Sequence, residues 1–146
     1  MKTPASAVIL ALSAGTAVAD SGEKTLETVL VSAARQPVAI STVGSAVTVL
    51  DSELLEHRQT ASLGEILRSV PGLAINRVGG FGAQTQVRIR GGEANHTLVF
   101  IYGIRANDPA QNGEFNWAHL VNYDIESVEV IRGPQSALWG SDALSG

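Results

Sequence analysis

The sequence predicts an α+β fold: a small mixed β-sheet of about four strands, with two or three short helices on one side. Short stretches rich in β-branched residues recur between clusters of Gly, Pro and Asn. One stretch instead spaces its apolar residues as a buried helix face does. A chain of 146 residues, 45% hydrophobic and 16% charged with 15 glycines, suits one globular domain with many turns.

The first predicted elements of the domain are a strand and a short helix. Residues 46–50 (AVTVL) form the strand candidate by their β-branched content. Asp51 or Ser52 can cap a helix that continues to about His57.

A second helix is predicted after Ala61. Ser62 and Glu65 have the spacing of a capping box, in which each side chain satisfies a free N–H of the first turn. The spacing of one buried helix face is shared by Leu63, Ile66, Leu67 and Val70. Pro71-Gly72 ends this helix.

The second half of the domain is predicted to be mostly strands and loops. Residues 73–78 form a short strand, and residues 84–90 alternate, with Val87 and Ile89 on one face. The apolar run 98–101 predicts a strand buried on both faces. The remaining predicted elements are a loop at 107–114, a helical turn at 117–121 and a last strand at 125–131.

Residues 1–19 have the features of a secretory signal peptide. Lys2 provides the charged start, an apolar run begins at Val8, and Ala17-Val18-Ala19 fits the cleavage pattern. The alternatives are a short membrane anchor or a buried helix. The run is shorter than the roughly 20 residues that a bilayer span needs, which favours export and a mature start near Asp20.

Residues 20–36 are predicted to be a flexible segment with one extended stretch. Its β-prone centre is Val29-Leu30-Val31, and Pro37 interrupts the pattern because proline has no backbone donor. From the residues alone, this stretch could equally be the first strand of the compact domain. We expect that domain to occupy residues 37–146.

Charge and residue types argue against several function classes. The net charge is −4 and the arginines are dispersed, so the sequence predicts no basic patch that could bind nucleic acid. The chain has no cysteine, and its three histidines lack metal-ligand spacing. No nucleophile, base and orienting group can be assembled, so we predict no catalytic residue, metal or cofactor.

Four ordered blocks resemble the plug domain of TonB-dependent outer-membrane transporters, closest to the cobalamin-receptor branch. They cover residues 27–146 and comprise 27–34, 63–72, 87–92 and 128–134 with its Ser-Ala-Leu-Trp-Gly tail. One departure is Tyr102-Gly103, where the family usually has Asp-Gly. In this family a β-barrel follows such an ending, so the resemblance implies a plug whose barrel is absent from this sequence.

The resemblance also implies specific contacts. A Ton box would add as a strand to the C-terminal domain of TonB, through Glu27, Thr28, Val29, Leu30, Val31, Ser32 and Ala33. Arg90 and Arg132 would lock the plug to barrel glutamates; the alternative is ordinary surface arginine. Substrate would touch the apical loops 79–83, 92–96 and 107–116, with candidate contacts Gln84, Gln86, Glu93, Gln111 and Asn112; the alternative is solvated loop.

The function implied is that of a gate. The expected protein lies in the cell outer membrane and imports a scarce nutrient chelate, such as cobalamin or a ferric siderophore. Its partners would be TonB, its own barrel and the chelate. The alternative is a stand-alone periplasmic ligand-binding or interaction module derived from a plug domain.

Overall fold

The computed structural model describes residues 29–30 and 36–146. The predicted signal peptide and most of the predicted Ton box lie outside these residues. The α+β class is confirmed, since the strands pair antiparallel and the short helices lie between runs of strands. Within the described residues, no helix has the length and apolar character needed to cross a membrane.

The elements are short throughout. The strands are β1 (Val29–Leu30), β2 (Val38–Ala39), β3 (Ala46–Asp51), β4 (Leu73–Arg77), β5 (Thr85–Ile89), β6 (Phe100–Ile101), β7 (Ile104–Arg105) and β8 (Ser127–Arg132). The α-helices are α1 (Ser52–His57), α2 (Leu63–Leu67) and α3 (Ser136–Trp139). Single 3-10 turns occur at Ile40–Thr42, Ala94–His96, Pro109–Gln111 and Trp117–His119.

The strands are hydrogen-bonded in antiparallel pairs: β1 with β2, β3 with β8, β4 with β5 and β6 with β7. The β3–β8 ladder joins strands that lie far apart in the sequence. Ala46 is opposite Arg132 at one end of it, and Asp51 is opposite Ser127 at the other. This ladder therefore closes the domain by a pairing that no local pattern could reveal.

The two predicted helix starts have different outcomes. Asp51 caps α1 as predicted, since its Oδ1 accepts a hydrogen bond from the Leu54 N–H at 2.9 Å. The predicted capping box at Ser62 is wrong, because its side chain makes no cap hydrogen bond. The Glu65 carboxylate instead pairs with Arg68 and Arg77, each at 2.8 Å. Charged donors bind a carboxylate more strongly than a neutral N–H does.

The core forms where α2 packs against the strands. The predicted face of this helix is confirmed: Leu63, Ile66, Leu67 and Val70 are between 1% and 3% exposed. The predicted alternation of β5 is also confirmed, with Val87 and Ile89 buried and Arg88 exposed. The remaining members of the core cluster are Leu50, Leu55, Val99, Trp117 and Val130.

The predicted strand at 98–101, buried on both faces, is wrong. Only Phe100–Ile101 is a strand, and it forms a hairpin with Ile104–Arg105. Leu98, Phe100 and Ile101 are half-buried rather than buried. An apolar run in one arm of a short hairpin leaves its outer side chains partly in solvent, whereas a central strand would cover them.

The final segment of the chain packs against this hairpin. The Ser145 N–H donates to the His96 carbonyl at 3.0 Å, and the Leu98 N–H donates to the Gly146 carbonyl at 2.9 Å. The Phe100 and Trp139 rings lie with centroids 4.7 Å apart. Residues 133–146 are therefore an integral part of the folded domain.

Candidate ligand-binding site

Four of the five predicted substrate contacts line one open depression of about 560 Å³. They are Gln84, directly before β5, Gln86 in β5, and Gln111 and Asn112 in the loop that follows β7. Ala110, Glu114 and Asn116 complete the lining. Glu93, the fifth predicted contact, is exposed and does not line it.

Asn107 holds the loop side of this depression in place. Its side chain is buried, and its Oδ1 accepts from the Val99 N–H at 2.7 Å. Its Nδ2 donates to the carbonyls of Thr97 at 2.9 Å and of Gly113 at 2.8 Å. One amide therefore joins three backbone positions that would otherwise need separate partners.

The loop itself is built around Asp108. Its Oδ1 accepts from the Ala110 N–H at 2.9 Å, which caps the 3-10 turn, and its Oδ2 accepts from Gln111 Nε2 at 3.0 Å. Asn112 then adopts a left-handed conformation with φ 58°, which asparagine tolerates better than most residues. The Asp108 N–H closes the loop on the Glu114 carbonyl at 2.9 Å.

Gln86 and Asn116 connect the loop to β5. Gln86 Nε2 donates to Glu114 Oε2 at 2.6 Å, while Arg88 Nη2 donates to Gln86 Oε1 at 3.4 Å. Asn116 Oδ1 accepts from the Thr85 N–H at 3.1 Å. The result is a surface of amide groups with one carboxylate, able to donate to and accept from a polar ligand. Sequence reasoning missed Glu114 and Asn116.

The two predicted lock arginines lie close together around Gly72. A Cβ added to Gly72 would be 3.8 Å from a side-chain carbon of Arg90 and of Arg132. Arg132 is half-buried and donates to the Pro71 carbonyl at 2.6 Å and to Thr48 Oγ1 at 2.8 Å. Its Nε is buried and has no partner among the described residues.

Arg90 is exposed at the end of β5, in a left-handed conformation with φ 50°. Neither Arg90 nor Arg132 forms an ion pair within the part of the chain that the structure describes. Among the described residues, the acceptors of the Arg132 guanidinium are the neutral Pro71 carbonyl and Thr48 hydroxyl.

Tyr102 and Gly103 form the turn between β6 and β7, at the position where the family usually has Asp-Gly. Both residues have positive φ, 50° and 78°, as a tight hairpin turn requires. The Tyr102 hydroxyl donates to the Asp124 carbonyl at 3.2 Å. Its ring remains 86% exposed, so tyrosine links the hairpin to the loop at 124 at the cost of an exposed aromatic face.

Only Val29 and Leu30 of the predicted Ton box lie within the described residues. Their backbone is extended and antiparallel to β2, with Val29 opposite Ala39 and Leu30 opposite Val38. The other predicted TonB contacts, at 27–28 and 31–33, lie outside the described residues.

A second depression of about 450 Å³ lies beside α1 and the loop at 122–126. Glu56, Asp124 and Glu126 are among its lining residues, and it includes none of the predicted contacts. In the described ranges, no three His, Cys, Asp or Glu side chains are grouped as metal ligands.

Comparison with known proteins decides the family. The family model of the TonB-dependent Receptor Plug Domain matches residues 39–146. The chain belongs to this plug-domain family. The vitamin B12 transporter BtuB of Vibrio vulnificus (strain CMCP6) is 39% identical to the plug over 123 residues. That alignment covers 84% of this chain and 20% of BtuB, so the plug spans about a fifth of that curated relative.

Solved receptors contain a similar fold. The plug resembles part of a mutant ferric enterobactin receptor of Pseudomonas aeruginosa, PfeA, in complex with enterobactin. The TM-score is 0.53 and the identity 26%, over 70% of the plug and 17% of that chain. The ferric yersiniabactin uptake receptor FyuA of Yersinia pestis has a TM-score of 0.53 at 23% identity, over 70% of the plug and 16% of that chain. At that identity the second likeness shows the fold alone.

Proposed function

We propose that this plug is the gate of a TonB-dependent outer-membrane active transporter that imports a scarce nutrient chelate. The observation that carries the proposal is the single depression formed by four predicted contact residues on adjacent elements of a plug-family fold. Cobalamin and ferric siderophores are the candidate cargoes. The 39% identity to a vitamin B12 transporter favours cobalamin.

The proposed cycle uses both ends of the plug. The chelate binds at the depression from outside, between plug and barrel. The Ton box at 27–34 then becomes available to the C-terminal domain of TonB, which adds to it as a strand and pulls. Part of the plug rearranges and a path opens. Elements that move in this way come from the least stable part of a fold.

The backbone of Val29–Leu30 supports the strand-addition step. It already pairs as a strand with β2, but each partner contributes only two residues. A two-stranded hairpin is marginally stable in water even when it is longer than this. Exchanging that short pairing for an edge strand of TonB would therefore cost little free energy.

The guanidinium pair at Arg90 and Arg132 supports docking inside a barrel. A half-buried cation whose Nε has no acceptor gains from a carboxylate that approaches it, because charge-assisted hydrogen bonds are the stronger ones. We propose that glutamates on the inner barrel wall provide those carboxylates. The related proteins named above are transporters or receptors, and we propose no catalytic activity for this chain.

The first prediction tests the Ton box. In the full-length receptor, Leu30→Pro should abolish TonB-dependent uptake of radiolabelled cyanocobalamin, because proline removes a backbone donor from the paired strand. Binding of cyanocobalamin to outer membranes should persist, since Leu30 is remote in sequence from the depression. Leu30→Val, which keeps the strand preference, is the matched control and should retain uptake. Normal uptake by the proline variant would rule out this Ton box.

A further inference from the structure

Glu114 is the one charged residue among those that line the depression. The others are the amides Gln84, Gln86, Gln111, Asn112 and Asn116, together with Ala110. A ligand that enters this site therefore meets one negative charge among neutral hydrogen-bonding groups.

The Glu114 carboxylate is held in a fixed place. Its Oε2 accepts from Gln86 Nε2 at 2.6 Å, and its backbone is anchored on both sides. The Glu114 N–H donates to the Gln111 carbonyl at 3.1 Å, and the Glu114 carbonyl accepts from the Asp108 N–H at 2.9 Å. The residue is half-buried.

The charge of Glu114 has no ion-pair partner within the described residues. The nearest guanidinium along the hydrogen-bond chain is that of Arg88, which reaches the opposite end of the Gln86 amide at 3.4 Å. Arg88 does not line the depression. The charged group that lines the site is therefore the carboxylate and not this cation.

We propose that Glu114 is a specificity-determining residue, which makes this site select uncharged, amide-bearing chelates and reject anionic ones. The proposal rests on the proposed function and names the ligand chemistry that the same site accepts. Two like charges a few ångströms apart, at an open protein surface, weaken binding by about five- to tenfold. A neutral amide ligand avoids this penalty and can still bond to the glutamine and asparagine side chains.

The test uses two ligands that differ by a single charge. Cyanocobalamin carries peripheral amides and no net charge, and its monocarboxylate derivative has one amide hydrolysed to a carboxylate. Dissociation constants of both are measured by equilibrium binding to the full-length receptor in outer-membrane vesicles. The proteins are the wild type, E114Q, E114D and E126Q. E126Q removes an exposed charge that lies beside the other depression.

The wild type should bind the amide form about five- to tenfold more tightly than the monocarboxylate. E114Q should bring the two affinities close together by improving monocarboxylate binding, because the glutamine carbonyl still accepts from Gln86. E114D and E126Q should keep the wild-type preference. Tighter binding of the anion is a result that loss of folding could not produce.

The outcomes separate two failures. Suppose that cyanocobalamin binds, but that E114Q prefers it over the monocarboxylate as the wild type does, or that the wild type has no such preference. The proposed selection by the Glu114 charge is then wrong, while the proposed binding site is retained. If E114D loses the preference together with E114Q, a negative charge at this position is not sufficient for the preference, which also overturns the proposal. If neither ligand binds to the wild type, the proposed site and the proposed selection both fail.

Discussion

At the scale of single residues, Asn107 illustrates how one polar side chain holds together the surface proposed to bind the ligand. It lies in a stretch of turn-forming residues, where asparagine is common and no periodic pattern marks it. Only the fold brings Val99, Thr97 and Gly113 within reach of its amide. Sequence analysis could therefore predict the loop and propose exposed residues that line the depression, but not the buried amide that positions them.

The second prediction concerns this amide. Asn107→Ala leaves the buried Val99 N–H and two carbonyls without their partner, so it should lower the free energy of unfolding by about 2 kcal/mol or more. Urea denaturation of the purified chain measures the loss. Asn76→Ala, at an exposed position of β4, should change stability by less than about 0.5 kcal/mol. Equal effects of the two substitutions would contradict the role given to Asn107.

At the scale of elements, local patterns were reliable where one segment determines its own structure. The face of α2, the alternation of β5 and the cap of α1 each depend on neighbours in sequence, and each was predicted correctly. The run at 98–101 was misread because a continuous apolar stretch does not distinguish a hairpin arm from a central strand. The capping box failed because Arg77, distant in sequence, attracts the Glu65 carboxylate.

The third prediction separates a real cap from an apparent one. Asp51→Ala removes the acceptor of the Leu54 N–H and should destabilise the purified chain by about 1 kcal/mol. Ser62→Ala removes a side chain that makes no cap hydrogen bond and should cost clearly less. The comparison uses urea denaturation of both variants. A larger loss for Ser62→Ala would restore the capping box that the sequence pattern suggested.

At the scale of the whole molecule, the β3–β8 ladder determines how the plug would respond to a pull. The end of β3 nearest the Ton box, Ala46, is paired with Arg132, the end of β8 that leads to the C-terminus. If TonB pulls on one and the barrel holds the other, the force acts on the same end of an antiparallel pair. Its hydrogen bonds are then loaded one rung at a time, beginning at Ala46, rather than all together.

The last prediction follows from this geometry, and the absence of cysteine from these 146 residues means that the plug has no native thiol to compete with the introduced pair. A disulfide between Val47→Cys and Ile131→Cys, which are opposite each other in the β3–β8 ladder, should block the opening at its second rung. Uptake of cyanocobalamin by the full-length receptor should be lost in oxidised cells and should return when a reductant is added. Binding at the outer face should be unaffected in both states.

A second staple provides the control for this experiment. Ala74 and Arg88 are opposite each other in the β4–β5 ladder, and both are exposed. A disulfide between these two positions also cross-links two antiparallel strands of the plug. It lies outside the β3–β8 ladder, on which the pulling force acts. Uptake by the Ala74→Cys, Arg88→Cys variant should therefore be the same in the oxidised and reduced states, since both states lack the Arg88 side chain equally. Normal uptake with the β3–β8 disulfide closed would show that the gate opens without separating β3 from β8.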